Sequence, residues 1–255
     1  MNIYIQFIYI VIESFILCYI IIKLENTFRK RNKLNDVIGG LVMGVHQYFK
    51  RLSDLEKLIR LPGKFKYFEH NVAAHSFKVT KIAQYLGTVE EYHGKEVDWK
   101  SLYEKALNHD FAEIFTGDIK TPVKYASGEL KKLFSQVEEE MVDTFITEEI
   151  PEKYRDIYRQ RLQEGKDDSL EGQILAVADK IDLLYETFGE IQKRNPEPLF
   201  FEIYEMSLET IMQFDHLYSV QDFIENIIPE MLTEKFIPRS ELRETTMQIL
   251  NNKKA

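Results

Sequence analysis

A single cysteine, Cys18, stands among the 255 residues, so the chain can form no internal disulfide and no cysteine-based zinc cage. A reducing compartment fits this cysteine usage. Glycine (11) and proline (7) are scarce. An all-β chain needs frequent tight turns, so the scarcity favours helices. There is no excess of basic charge either. The formal net charge is −9, and the first 42 residues carry a balance of +2, which leaves −11 for the rest. An acidic body argues against an extended nucleic-acid surface, which depends on basic patches. It leaves room for a small phosphorylated ligand, because a bound cation can supply local positive charge. What the chain does have is apolar material: 44% of residues, with 17 Phe and 14 Tyr, enough for the core of one large domain.

The first 42 residues differ from the rest. Residues 3–22 are an apolar run broken only by Gln6, Glu13 and Ser14, long enough to span a bilayer as a helix. The bases Lys23, Arg29, Lys30, Arg31 and Lys33 follow and would keep the downstream chain in the cytoplasm. No small-residue cleavage site follows, which disfavours a removed signal peptide. Two readings stand. The run is an N-terminal membrane anchor, or it is translated upstream of a true start at Met43, a reading favoured by the costly mid-span Glu13. The expected organisation is 1–42 as apolar segment plus basic linker, and 43–255 as a single all-α helical domain.

From Val45 the apolar residues recur at helical spacing. Ser53 is expected to cap a helix reaching Arg60, stopped by Pro62-Gly63. Val72, His75, Val79, Ile82 and Leu86 mark one face of a helix ending near Gly87. Asp98 caps a helix expected to run to about Phe115, and Thr116-Gly117-Asp118 breaks it before the Thr121-Pro122 loop. Ser127 opens a helix to about Phe145, and Pro151 starts a shorter one. Asp168 with Glu171 reads as a capping box for a helix to about Lys193, ended by Asn195-Pro196-Glu197-Pro198. Two or three further helices fill Leu199 to Asn252. The pattern contains no convincing strand pair.

Three polar positions interrupt apolar helical faces: His75, the pair His109-Asp110, and Asp179 within Ile174-Leu175-Ala176-Val177-Ala178-Asp179-Lys180. Each alone has an ordinary explanation as a satisfied core histidine, a chance dipeptide or an ion-pair partner. Together they are two imidazoles and two carboxylates, a set suited to one divalent Mn, Fe, Co or Zn with positions left for water and substrate. Facing helices of a bundle build such sites. Glu113 lies four residues past His109, where it could orient or deprotonate a metal-bound water. Arg60 offers a fork suited to phosphate. Lys124 could add a second positive charge. Asp182 and Glu186 either line the pocket or face water.

The run Asn108 to Tyr125, Asn-His-Asp-Phe-Ala-Glu-Ile-Phe-Thr-Gly-Asp-Ile-Lys-Thr-Pro-Val-Lys-Tyr, resembles the HD-domain phosphohydrolases, and within them the YfbR-like 5′-deoxynucleotidase branch. The resemblance covers roughly residues 49–191. It implies a helical HD bundle and hydrolysis of nucleoside 5′-monophosphates to nucleoside and phosphate. It implies His75, His109, Asp110 and Asp179 as ligands of one divalent cation (Mn, Co, Zn, Fe or Mg), and Glu113 and Asp118 as the acids that handle water and leaving group. It implies Arg60 as the phosphate-binding arginine. Two positions depart from the family pattern. Ala74 stands where Glu usually precedes the first ligand His, which is expected to loosen the surroundings of the metal. Leu61 stands where Trp usually packs near the sugar, which bears on deoxyribose selectivity. Alternative readings on the same scaffold are hydrolysis of a cyclic or polyphosphorylated guanine nucleotide, and a non-catalytic nucleotide-binding module. The expected location is cytoplasmic, or the inner membrane with anchoring through 3–22 and the enzyme domain in the cytoplasm. A homodimer is expected, as is common for such bundles.

Overall fold

A computed structural model describes residues 44–118, 127–163, 165, 167–234 and 239–252. The apolar run 3–22, the Thr121-Pro122 loop and Lys124 lie outside the described residues. Within them the regular structure is helical, with one isolated antiparallel bridge between Ile59 and Asn71. No described helix is long and apolar enough to cross a membrane.

The long helix α7 (Leu170–Gln192) is the axis of the main core. It is buried nearly all round because α2 (Val72–Tyr92), α3 (Trp99–Asn108) and α8 (Leu199–Met212) pack on different sides of it. Ile174, Leu175, Leu184, Phe200, Tyr204 and Leu208 are fully buried there. Each such aliphatic side chain contributes roughly 1.5–3 kcal/mol by leaving water. The C-terminal helices α9 (Tyr218–Asp222), α10 (Ile228–Thr233) and α11 (Arg239–Asn252) close the far side. A π-turn at Phe223–Ile227 joins α9 to α10, whose second residue is Pro229, with a nitrogen that cannot donate. A second, smaller core gathers Phe111, Val142, Phe145, Ile146 and Ile150 with Tyr48 and Leu55. It is built by α1 (Val45–Lys57), α4 (Glu113–Thr116), α5 (Gly128–Glu149) and α6 (Arg155–Gln163).

Several boundaries differ from the sequence expectation, each for an identifiable reason. α1 begins at Val45 and not at Ser53, because Tyr48 and Leu55, two turns apart, both pack on the second core. It stops at Lys57, so Arg60 is not in a helix. Leu58 turns extended, and the bonds Arg60 N to His70 O (2.9 Å) and Val72 N to Leu58 O (3.0 Å) form the bridge instead. α2 runs past Gly87 to Tyr92. Gly87 is needed for contact rather than termination: a Cβ there would meet Leu102 and Trp99 of α3 at 3.0 Å.

α3 ends at Asn108, short of the expected Phe115. Two side chains take carbonyls of its last turn: Asn108 Nδ2 bonds Glu104 O (2.7 Å) and His109 Nδ1 bonds Ala106 O (2.9 Å). The backbone then tightens into three-residue turns, with Phe111 N to Asn108 O at 3.0 Å and Glu113 N to Asp110 O at 3.1 Å. The cap of α7 is Ser169, whose Oγ accepts from Gly172 N, and not Asp168. Glu171 does not reach back to close a capping box; it accepts the Asp98 N–H at 2.8 Å and ties α3 to α7. Ser127 caps α5 as expected, through Leu130 N.

Candidate metal centre

The tight turn after α3 is where the chain passes from the main core, which holds Ala106, to the smaller one, which holds Phe111. His109 and Asp110 sit in that turn. α2 presents His75 from its first turn, started by Asn71, whose side chain accepts the Ala74 N–H at 2.8 Å. α7 presents Asp179 from the middle of its buried length.

These four side chains converge. His75 Nε2 lies 3.2 Å from His109 Nε2, 3.2 Å from Asp110 Oδ2 and 3.3 Å from Asp179 Oδ1. His109 Nε2 is 3.3 Å from Asp110 Oδ2. Donor atoms of His75, His109 and Asp110 all lie within 4.8 Å of one another, and Asp179 joins them through His75.

The outer ring nitrogens settle the tautomers. His109 Nδ1 faces the Ala106 carbonyl, which can only accept, so Nδ1 carries the proton and Nε2 bears a lone pair. His75 Nδ1 faces Asp182 Oδ2 at 2.7 Å, with the same consequence. Two imidazole lone pairs and two carboxylate oxygens then point at one another at hydrogen-bond distance. Such a set repels itself unless a cation lies among the atoms. Its chemistry fits a divalent transition ion.

Where no cation sits, a proton takes its place on His75 Nε2. Burial works against a charged His75, but Asp110, Asp179 and Asp182 outweigh it and push its pKa up to about 10. Burial also works against the Asp110 carboxylate, yet His109 and His75 hold it ionised well below the usual range. The pocket therefore strongly favours positive charge at the point where the two rings meet.

Arg60, in the bend that follows Ile59, is directed into the same place. Its Nη1 lies 3.5 Å from Asp110 Oδ2 and its Nε 3.4 Å from Glu186 Oε2. Burial disfavours its charge, but Glu186, Asp110, Asp179 and Asp118 outweigh that and keep the guanidinium protonated. Leu61 follows with φ of 52°, in the left-handed region, which costs of order 1 kcal/mol or more for a non-glycine residue. The bond from Leu61 N to Asp118 Oδ2 (2.9 Å) holds that conformation, and Lys66 Nζ donates to the Arg60 carbonyl. Asp118 is thus tied to the arginine corner across 57 residues of chain.

Glu113 opens α4. It does not continue the α3 helix as expected, but the tight turn still brings it beside Asp110. Its carboxyl is pushed up to about 8, first by burial and then by the negative charges of Asp110 and Asp118. Its Oε2 is buried with no hydrogen-bond partner among the described residues.

Two side chains whose environment the sequence left open, Asp182 and Glu186, are both nearly fully buried and contact His75 and Arg60 respectively. Their signal was present: carboxylates at 179, 182 and 186 share one face of an otherwise apolar helix. His70 lies beside this group, its Nδ1 3.5 Å from Glu186 Oε1, with its pKa lowered by burial. Two cavities flank the site. One of about 530 Å³ is lined by Phe77, Lys78, Tyr85 and Tyr185, and one of about 420 Å³ by His109, Glu139 and Arg159; Asp110, Glu113 and Arg60 line neither.

Comparison with known proteins places the chain in a family. A solved HD-domain phosphohydrolase from Listeria innocua is 58% identical and covers 82% of this chain and 100% of that one, with a TM-score of 0.78. The curated 5′-deoxynucleotidases YfbR of Escherichia coli and Shigella boydii are each 25% identical over 183 residues, 71% of this chain and 90% of theirs. A Pyrococcus horikoshii protein shares the fold at 21% identity and a TM-score of 0.54. The family model for 5′-deoxynucleotidase YfbR-like proteins matches residues 47–231, and the chain belongs to this family of HD-domain phosphohydrolases.

Proposed function

We propose that this enzyme is a metal-dependent 5′-nucleotidase that hydrolyses nucleoside 5′-monophosphates to nucleoside and phosphate, with its catalytic unit in residues 43–255. The observation that carries the reading is the convergence of two imidazoles and two carboxylates beside a buried arginine and a buried glutamate.

His75, His109, Asp110 and Asp179 would hold one divalent cation, Mn, Co, Zn, Fe or Mg. When bound, such an ion acidifies a water and polarises a phosphoryl oxygen. Arg60, charged at every working pH, binds the phosphate and keeps its place through Glu186 and Asp110. Glu113 is placed to take the proton of the attacking water at its unpartnered Oε2; a bound cation would lower its carboxyl from the metal-free value of about 8 and so make it available as a base near neutral pH. Asp118, fixed by the Leu61 N–H, serves the leaving-group side. Leu61 in place of an aromatic neighbour of Arg60 leaves the sugar without a flat wall, so we infer weaker preference for deoxyribose than the family name suggests. Lys124, outside the described residues, is assigned to the phosphate by sequence alone.

The test is phosphate release. The protein is stripped of metal, reloaded with Mn, Co or Zn, and offered ribo- and deoxyribonucleoside 5′-monophosphates in parallel. Release from at least one nucleotide, dependent on added metal, is expected. No release from any of them refutes the reading. Turnover confined to cyclic or polyphosphorylated guanine nucleotides moves the enzyme to another substrate class.

A further inference from the structure

Asp182 takes no part in the steps above. It lies one turn beyond Asp179 on α7, 1% exposed, where an unpartnered carboxylate could not be kept ionised without large cost. Two contacts hold it there. Oδ2 is 2.7 Å from His75 Nδ1, and Oδ1 is 2.8 Å from Lys78 Nζ. Lys78 stands three residues after His75 on α2 and reaches on to Glu186 Oε1 at 3.2 Å. His75 and His109 are therefore supported differently. The outer nitrogen of His109 meets a neutral backbone carbonyl, while that of His75 meets a full carboxylate that is itself held in orientation by a lysine.

The contact has a chemical consequence. A carboxylate on the outer nitrogen fixes the tautomer, stops ring rotation and makes the inner nitrogen a stronger donor. The neighbouring position Ala74 offers no such group, so the carboxylate comes across the helix pair from α7. His75, Asp182 and Glu186 also lie close enough to one another to bind an ion themselves. Lys78 and Arg60 already neutralise that group, which argues for support of His75 over a second metal.

We propose that Asp182 is a positioning residue of the metal centre: it locks His75 in the Nδ1–H tautomer and raises the affinity of the site for its cation, with Lys78 fixing the carboxylate. The inference rests on the metal centre proposed above. The test uses the full chain, wild type and Asp182→Asn, stripped with a chelator. Manganese affinity is read by titration calorimetry, and the melting temperature is read separately in chelator. Asparagine has one acceptor for two donors, so Mn binding is expected to weaken by roughly 10–100-fold, while the metal-free melting temperature stays within a few degrees of wild type. Asp182→Ser, which offers an uncharged acceptor in less volume, is expected to weaken Mn binding equally, and it serves if the asparagine variant does not fold. An unchanged Mn dissociation constant in a folded variant overturns the inference, whatever the melting temperature does. That result leaves the metal centre standing, whereas a wild-type protein that takes up no Mn refutes the centre and the inference together.

Discussion

Glu113→Gln is expected to make the metal-free protein more stable and the enzyme nearly inactive. In the fold the Glu113 carboxyl titrates at about 8, because burial and then Asp110 and Asp118 favour its neutral form; free of the fold it would titrate near 4.5. Below about pH 4.5 both folded and unfolded chains are protonated there, and the group has no effect on stability. Between 4.5 and 8 the unfolded chain has released the proton while the fold still holds it, so each pH unit costs about 1.36 kcal/mol. Above 8 the penalty is complete. Its upper bound is roughly 5 kcal/mol, and partial access of water to the group reduces it to about 2–3 kcal/mol. Glutamine copies the shape of the neutral acid and escapes the penalty. At pH 8.5 the variant should therefore melt roughly 5–10 °C above wild type, taking 2–4 °C per kcal/mol for a domain of this size. The difference should vanish as pH falls towards 4.5. Scanning calorimetry in chelator from pH 5 to 8.5 checks this, and phosphate release by the reloaded variant should fall by roughly 10²-fold or more. A variant less stable than wild type at pH 8.5, or a stability difference that ignores pH, would refute the assignment of Glu113 as a buried, charge-repelled acid.

Further outcomes follow from the same geometry. Asp110→Ala should lose both metal, by elemental analysis after gel filtration, and phosphate release; an active variant would contradict its role. Arg60→Ala removes charge-assisted bonds to phosphate worth roughly 1.5–3 kcal/mol each, so kcat/KM should fall by about 10–100-fold or more with Mn affinity kept; unchanged kinetics would place the phosphate elsewhere. Leu61→Trp should raise the ratio of deoxyribo- to ribonucleotide turnover, read in paired assays, and an unmoved ratio would detach this position from the sugar. Gly172→Ala would set a Cβ 2.6 Å from the Asp167 backbone, and should cost about 1–3 kcal/mol in denaturant melts; a neutral effect would mean the start of α7 relaxes freely.

The helical class and the four convergent side chains were legible in the sequence because each interrupts an apolar stripe at helical spacing. Their meeting at one cation was expected, but not the local geometry that achieves it. Periodicity carried the α3 helix on to Phe115, whereas the bonds of Asn108 and His109 to its last carbonyls end it and swing Asp110 to the ring nitrogens. Arg60 was foreseen as a phosphate group but placed at a helix end. Its place just after the helix depends on pairing Ile59 with Asn71 across the loop, a non-local bond pattern that no local propensity encodes. The same limit applies to Asp182 and Glu186. Their spacing was visible, but whether that face of α7 met water or the backs of His75 and Arg60 depended on how α2 packs against it.

Diffraction from crystals soaked in manganese, collected at the Mn absorption edge, tests the central claim most directly. One anomalous peak is expected, within bonding distance of His75 Nε2, His109 Nε2, Asp110 and Asp179, and absent in Asp110→Ala crystals. A fully soaked crystal with no peak there, or with its peak at another group of residues, would contradict the account.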